Sequence, residues 1–171
     1  MFGPVSEQRL AFVIPSLSVL MHQLEAQMSE PIGITQGLRK SAEQHALFAQ
    51  GRMSLDVVNQ LRAALGWAAI SSTENLHTVT KADSGYSWHE FGMAVDVVPF
   101  ETSNHPDWDE SHPVWQEIVE KGTALGMVSG VSWKDQPHLQ LTGRFPVTPD
   151  DEVREIYATG GLAAVWDAAG V

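Results

Sequence analysis

Apolar side chains recur every three or four residues near the start of the chain. Over positions 16–30 they are Leu17, Leu20, Met21, Leu24 and Met28, with polar residues between them. This spacing predicts a helix that packs one face against a core. Pro15 with Ser16 is typical of a helix start, and the polar segment 29–31 is typical of a helix end.

A short strand and two helices are predicted next. The β-branched segment Ile32–Gly37 favours a strand. Ser41, with Gln44 three positions later, has the pattern of a capping box, and Gly51 suits the position just past a helix end. A second helical segment follows at Leu55–Leu65.

The second half of the chain alternates strand and helix patterns. The run of Ala94, Val95, Val97 and Val98 predicts a buried strand over His89–Phe100 that is closed by Pro99. The other predicted elements are a loop at 101–112, a helix from Pro113 to about Leu125, a turn at Gly126–Gly130, a strand within Val131–Leu141, and two tail helices split at Gly160–Gly161, the first of them capped by Thr148 or Asp150.

These elements predict one α+β domain over residues 1–171. A small, mainly antiparallel sheet should carry the functional site on one face, with helices on the other face and at the ends. The length of 171 residues, with 43% hydrophobic and 18% charged residues, is ordinary for a globular domain with its own core. No internal repeat or linker divides the sequence.

Charge and cysteine content narrow the possible functions. The formal net charge is −11, which argues against binding to a nucleic-acid backbone or to an anionic membrane surface. No apolar run is long enough to insert into a membrane. The chain has no cysteine, so disulfides and cysteine-based sites are excluded. A transition-metal site must therefore use histidines and carboxylates.

Two of the seven histidines stand in informative surroundings. His89 opens the predicted strand segment that carries Asp96, and His138 lies in the strand-like segment PHLQL, so both histidines are expected on neighbouring strands. An unpaired carboxylate among Val95, Val97 and Val98 would cost several kcal/mol, so Asp96 needs a cation. Two imidazoles and one carboxylate are the ligand count of an open catalytic zinc site. Spacing alone leaves a second interpretation open, in which the two histidines are unrelated residues on strands.

Asp135, three residues before His138, is a candidate general base. A carboxylate beside a metal site can remove a proton from a water whose pKa the metal has lowered. A second cation site is a weaker possibility in the loop that contains His105, Asp107, Asp109, Glu110 and His112. Its spacing lacks the glycine turn of known calcium loops, so a solvated loop is the favoured interpretation.

Three blocks of the sequence resemble the D-alanyl-D-alanine metallopeptidase family. SWHEFGMAVD resembles the family signature S-x-H-x-x-G-x-A-x-D, and WKDQPH resembles its second signature, D-x-x-H. TQGLRKSAEQHALFAQGR is similar to the family's first block. The blocks occur in the expected order over residues 32–142. The first residue of this second signature is aspartate in the endopeptidase branch of the family and glutamate in the carboxypeptidase and dipeptidase branch. The aspartate in WKDQPH therefore resembles the phage-type L-alanyl-D-glutamate endopeptidases, the endolysins that cut peptidoglycan stem peptides.

The resemblance implies a role for individual residues. His89, Asp96 and His138 would bind one catalytic Zn²⁺, and Asp135 would be the catalytic base. Arg39 would stabilise the oxyanion or hold a substrate carboxylate, Ser87 would line the substrate subsite, and Gln44 would support Arg39 or the site wall. Leu38 stands where family members often have tyrosine, which leaves the packing beside Arg39 in question.

The implied protein is a monomeric catalytic domain of the hedgehog/DD-peptidase type that acts on peptidoglycan and has no separate cell-wall-binding domain. No signal peptide is evident, so a phage-encoded enzyme would wait in the host cytoplasm for release through a holin. Two alternatives stay open. One is a D-Ala-D-Ala carboxypeptidase or dipeptidase of the same family. The other is a zinc-stabilised binding module without turnover, against which Asp135 argues.

Overall fold

A computed structural model describes residues 1–100 and 105–171 of the chain. Over these residues the helices are α1 (Pro4–Leu10), α2 (Pro15–Glu25), α3 (Ser41–Ala49), α4 (Leu55–Ala64), α5 (Pro113–Ala124) and α6 (Asp151–Ala169). The strands are β1 (Ile32–Gln36), β2 (Ala94–Pro99), β3 (Val128–Ser129) and β4 (His138–Gln140). Short 3₁₀ helices occur at Glu74–Leu76, Trp88–Phe91 and Gly130–Trp133. The predicted α+β class is confirmed.

The four strands form one antiparallel sheet in the order β1-β2-β4-β3. β2 is central, and its valines are fully buried because both neighbours and a helix layer cover it. The register places Asp96 of β2 directly opposite His138 of β4. Residues in such a cross-strand pair have their side chains on the same face, so the sheet itself brings these two together.

The core lies between the sheet and helices α2 and α5. Leu17, Met21 and Leu24 of α2 are fully buried, as the apolar spacing predicted. Trp115 and Ile118 of α5 pack in the same buried cluster. Helix α2 ends at Glu25, earlier than the polar segment 29–31 indicated. None of the helices among the described residues has both the length and the apolar character to cross a membrane.

Helix α1 was not predicted from the sequence. It lies along the free edge of β1, where the backbone N–H of Ile34 donates to Ser6 Oγ over 3.0 Å and the Arg9 guanidinium donates to the Ile34 carbonyl. An exposed strand edge carries unpaired backbone groups, and these two side chains satisfy them. Besides burying Leu10 in the core, the helix makes polar contacts with a distant segment, which hydrophobic spacing does not reveal.

Three local predictions are wrong in detail. The N-cap of α3 is Lys40, whose backbone N–H donates to Glu43 Oε2 over 2.8 Å, and Ser41 is the first helical residue. The predicted turn before Gly130 contains strand β3, which pairs with β4. His89 lies on a 3₁₀ helix before β2 and not on a strand.

The predicted helix boundaries at Gly51, Asp150 and Gly161 are confirmed. Gly51 follows the end of α3 with a φ of +78°, a conformation that glycine adopts without strain. In the tail, Asp150 Oδ1 accepts from the Val153 N–H over 3.1 Å and so caps α6. Gly161 has φ 67° and ψ −160° and interrupts that helix, so the predicted division into two helical segments is confirmed.

We predict that Leu17→Ala lowers the free energy of unfolding by about 2–5 kcal/mol, because it removes a fully buried side chain and leaves a cavity. Val19→Ala on the same helix is the matched control, since Val19 is 54% exposed. Its effect should stay within about 0.5 kcal/mol. Urea denaturation of both variants tests this, and equal effects would contradict the placement of α2.

Candidate metal centre

Three ligand atoms from three separate segments meet on one face of β2. His89 Nε2 lies 3.2 Å from Asp96 Oδ1 and 3.2 Å from His138 Nδ1, and His138 Nδ1 lies 3.6 Å from Asp96 Oδ1. Among residues 1–100 and 105–171, these three are the His, Cys, Asp or Glu side chains whose ligand atoms lie close enough together to hold one metal ion. The structure therefore brings together the three residues predicted as ligands.

Local backbone geometry explains how His89 reaches the sheet. The 3₁₀ helix Trp88–Phe91 ends at Gly92, which has a φ of +62° and reverses the chain into β2. A Cβ atom at Gly92 would lie 3.1 Å from the Phe12 carbonyl oxygen, so the turn also needs the small residue. This glycine belongs to the SWHEFGMAVD block.

The hydrogen bonds of each imidazole determine which nitrogen faces the cluster. His89 Nδ1 lies 3.0 Å from the Gly37 carbonyl oxygen, which only accepts, so Nδ1 carries the proton and Nε2 presents a lone pair. His138 Nε2 lies 2.8 Å from Gln140 Oε1, so Nδ1 is the nitrogen that faces the cluster. Two imidazole nitrogens and a carboxylate oxygen thus point at the same small volume.

This donor set fits a zinc ion. Zinc bonds of about 2.0–2.1 Å to nitrogen and oxygen place tetrahedral ligand atoms about 3.3 Å apart. The separations of 3.2, 3.2 and 3.6 Å agree with that spacing. Without a cation between them, two lone pairs and a carboxylate at these distances would repel one another. Three protein donors also leave a fourth position for a water or a substrate.

The ionisation of Asp96 is consistent with a ligand role. Burial alone would favour the neutral acid, but the positive charge of the protonated imidazoles of His89 and His138, and their hydrogen bonds, hold the pKa of the Asp96 carboxyl well below its ordinary value, and a bound metal ion would supply that charge instead. Arg39 adds a second stabilising contact, because its Nη2 lies 3.5 Å from Asp96 Oδ2. One carboxylate oxygen therefore faces the histidines and the other faces the guanidinium.

Arg39 is buried beside the cluster, and two hydrogen bonds fix its position. Its backbone N–H donates to the His89 carbonyl over 3.0 Å, and its Nη1 donates to Gln44 Oε1 over 2.8 Å. Gln44 in turn donates to the Ala82 carbonyl over 2.6 Å. The structure places Gln44 behind Arg39, where the sequence-based prediction expected it, and not as a helix cap. Leu38, which stands where family members often have tyrosine, is half-buried, and both hydrogen bonds of Arg39 form beside it.

Asp135 lies at the edge of the cluster without joining it. Its Oδ2 is 3.9 Å from His138 Nδ1, and its side chain is 48% exposed. Partial burial and the negative charge of Asp96 raise the pKa of Asp135 above its ordinary value. Lys134, with a φ of +60°, turns the chain so that Asp135 reaches the site. A carboxylate here is positioned to exchange a proton with a group bound at the open position.

The cluster lies in a cleft of about 890 Å³. Arg39, Ser87 and Asp135 line it, and so do the aromatic side chains of Tyr86 and Trp108. The volume is within the usual range for ligand sites, which is about 300–1,000 Å³. Ser87 thus lies where a substrate subsite was predicted. The role of each of these residues stays a prediction.

The acidic loop gives no second metal centre among the residues described. Asp109 Oδ1 accepts from the Ser111 backbone and hydroxyl over 3.0 and 2.6 Å, a local turn within the loop. His105, Asp107, Glu110 and His112 join no metal-binding group in residues 105–112. The first four residues of the predicted loop, 101–104, lie outside the described residues.

Three further residues shape the centre and were not predicted from the sequence. Gln140 accepts from His138, and the alternation of strand β4 gave a signal, since residues two apart share a face. Gly37 supplies the carbonyl that orients His89. A Cβ atom at Gly130 would lie 2.4 Å from the Asp135 carbonyl oxygen and 2.8 Å from His138 Cβ, and only the folded turn reveals this constraint.

Comparisons with known proteins find a family and individual proteins that this chain resembles. A sequence model described as D-alanyl-D-alanine carboxypeptidase matches residues 80–141. The peptidoglycan L-alanyl-D-glutamate endopeptidase CwlK of Bacillus subtilis (strain 168) is 30% identical over 118 residues, which are 63% of this chain and 59% of that protein. The chain thus spans about three fifths of the length of that relative.

A crystal structure of the Serratia marcescens L-Ala D-Glu endopeptidase ChiX is also similar. It has 22% sequence identity and a TM-score of 0.49, and the match covers 84% of this chain and 92% of that one. The resemblance of the sequence to the D-alanyl-D-alanine metallopeptidase family, near its L-alanyl-D-glutamate endopeptidases, is confirmed by the family match and the curated relative.

We predict that Gly130→Ala lowers affinity for zinc at least tenfold, because the new methyl group would displace the backbone of Asp135 and His138. Gly3→Ala is the control, since nothing lies within 4 Å of a Cβ there. Competition with a chelating dye measures the affinity. Equal zinc affinity in the two variants would contradict the close packing at Gly130.

Proposed function

We propose that this relative of the D-alanyl-D-alanine metallopeptidases is a zinc-dependent peptidoglycan endopeptidase that hydrolyses the L-alanyl-D-glutamate bond of stem peptides. The observation that carries the proposal is the convergence of His89 Nε2, Asp96 Oδ1 and His138 Nδ1 in an open cleft beside Asp135. An endolysin-type role in bacterial lysis, with release from the host cytoplasm, belongs to the same proposal.

Each residue has a distinct task in the proposed reaction. His89, Asp96 and His138 would hold the zinc ion. When bound, zinc acts as a Lewis acid that polarises a carbonyl group and lowers the pKa of a water molecule. Asp135 takes the proton of the attacking water and returns it to the leaving amine. Its raised pKa suits a carboxyl group that must hold that proton between the two steps.

Arg39 has a positioning task in this scheme. Its guanidinium is tied to Gln44 and faces Asp96 Oδ2, so it orients the carboxylate while remaining at the wall of the cleft. A positive charge at that wall also favours an anionic transition state or a substrate carboxylate. Stem peptides carry free carboxylates, which fits a locally positive site in a chain of net charge −11.

The endopeptidase is favoured over the two alternatives by specific observations. CwlK, the curated relative, is a peptidoglycan L-alanyl-D-glutamate endopeptidase by name. Asp135 also gives this chain the D-x-x-H signature that resembles the endopeptidases of the family. A binding module without turnover has no need for a half-exposed carboxylate 3.9 Å from a zinc ligand.

We predict that digestion of purified peptidoglycan produces new L-alanine carboxyl termini and new D-glutamate amino termini. Mass spectrometry of the soluble and insoluble fragments identifies the bond, and a chelator should abolish the cleavage. Release of D-alanine instead would favour the carboxypeptidase, and zinc binding with no product of either kind would favour the binding module.

We predict that Asp135→Asn keeps one zinc per chain and loses at least about 100-fold in kcat, because the amide cannot accept the proton of water. Asp167→Asn, an exposed position on α6, is the matched control and should retain full activity. Elemental analysis and initial rates on labelled peptidoglycan measure both properties. Normal hydrolysis by Asp135→Asn would exclude this residue as the base.

A further inference from the structure

Gln140 is a buried polar residue whose hydrogen bonds are all directed at the metal centre and its wall. It is only 2% exposed. Its Oε1 accepts from His138 Nε2 over 2.8 Å, and its Nε2 donates to the Val147 carbonyl over 2.8 Å. A buried amide is costly unless it is paired, and here both ends are satisfied.

The Val147 carbonyl determines which way the Gln140 amide points. A carbonyl oxygen only accepts, so the NH₂ group of Gln140 must face Val147 and its oxygen must face His138. The same carbonyl accepts from Trp88 Nε1 over 2.8 Å, which fixes it in place. Trp88 is buried and adjacent to His89, so one carbonyl connects the surroundings of both histidines.

His138 needs this support because carboxylates face its other nitrogen. Nδ1 lies 3.6 Å from Asp96 Oδ1 and 3.9 Å from Asp135 Oδ2. In the metal-free protein both negative charges attract the imidazole proton to Nδ1, the nitrogen that should bind the metal. A proton on Nδ1 would block coordination, because a metal needs the lone pair.

We propose that Gln140 is a positioning residue that holds the proton of His138 on Nε2 and so keeps the Nδ1 lone pair available to the metal. The inference rests on the proposed zinc site and deepens it. Val147 and Trp88 take part through the carbonyl that sets the amide orientation. Outer hydrogen bonds of this kind commonly change metal affinity by about 10- to 100-fold.

Two substitutions separate hydrogen bonding from packing. Gln140→Met keeps the length of the side chain but removes its strong acceptor, and it should weaken zinc binding about 10- to 100-fold. Gln140→Glu keeps an oxygen that accepts from His138, and it should retain affinity within a few-fold of the unmodified protein. Gln50→Met is the matched control, since Gln50 is also buried but donates to the Glu74 carbonyl away from the site.

Two measurements are needed, one with metal and one without. Chelator competition gives zinc affinity for each variant. Long-range ¹⁵N–¹H NMR of the metal-free proteins, at a pH where His138 is neutral, identifies the protonated nitrogen. We expect Nε2–H in the unmodified protein and in Gln140→Glu, and a shift toward Nδ1–H in Gln140→Met. Thermal unfolding of the metal-free variants shows whether each is folded.

The outcomes distinguish the inference from the proposed function. Unchanged zinc affinity and unchanged Nε2–H in folded Gln140→Met would overturn the role of Gln140. Equal loss in Gln140→Met and Gln140→Glu, with the tautomer unchanged, would reduce Gln140 to a packing residue and also overturn it. If the unmodified protein binds no zinc, the proposed function fails, while the NMR comparison still decides whether Gln140 sets the tautomer.

Discussion

The structure depends on holding three mutually repelling ligand atoms within 3.2–3.6 Å of one another. Two imidazole lone pairs and a carboxylate oxygen cannot share that volume at low cost unless positive charge lies between them. The fold supplies the geometry from three independent sources: the register of β2 against β4, the left-handed turn at Gly92, and the tight turn packed on Gly130. The metal would supply the charge.

A second layer of contacts keeps the ligands oriented. The Gly37 carbonyl and the Gln140 amide determine the facing nitrogen of each histidine, and Arg39 occupies the outer oxygen of Asp96. These contacts are buried, so each hydrogen bond acts in a medium of low dielectric, where it constrains orientation strongly. Asp135 differs because it is half-exposed, which leaves it free to exchange protons with bound water or substrate.

The sequence predicted most of what depends on local patterns. The apolar stripe of α2, the central strand and the glycine that divides α6 were each visible as spacing or as a single residue type. The ligand set followed from the chemistry of a carboxylate in an apolar strand, together with the family motifs. Each helix, strand or motif among these features is encoded within a short segment of the chain, so the sequence shows it directly, whereas the meeting of the three ligands was inferred from their chemistry and the family motifs.

The features that were missed depend on contacts between distant segments. Helix α1 is stabilised by Ser6 and Arg9 at the edge of β1, contacts that no periodicity reveals. Gly130 has no room for a side chain because Asp135 and His138 fold back over it. The short strand β3 exists because β4 pairs with it, which overrides the turn that its two flanking glycines favour.

The most direct test of the metal centre is anomalous diffraction at the zinc edge from crystals of the zinc-loaded protein. A single strong peak should lie about 2.0–2.2 Å from His89 Nε2, His138 Nδ1 and one oxygen of Asp96, with no further protein ligand. A peak elsewhere, an ion coordinated by a fourth protein side chain, or no bound zinc would contradict the account.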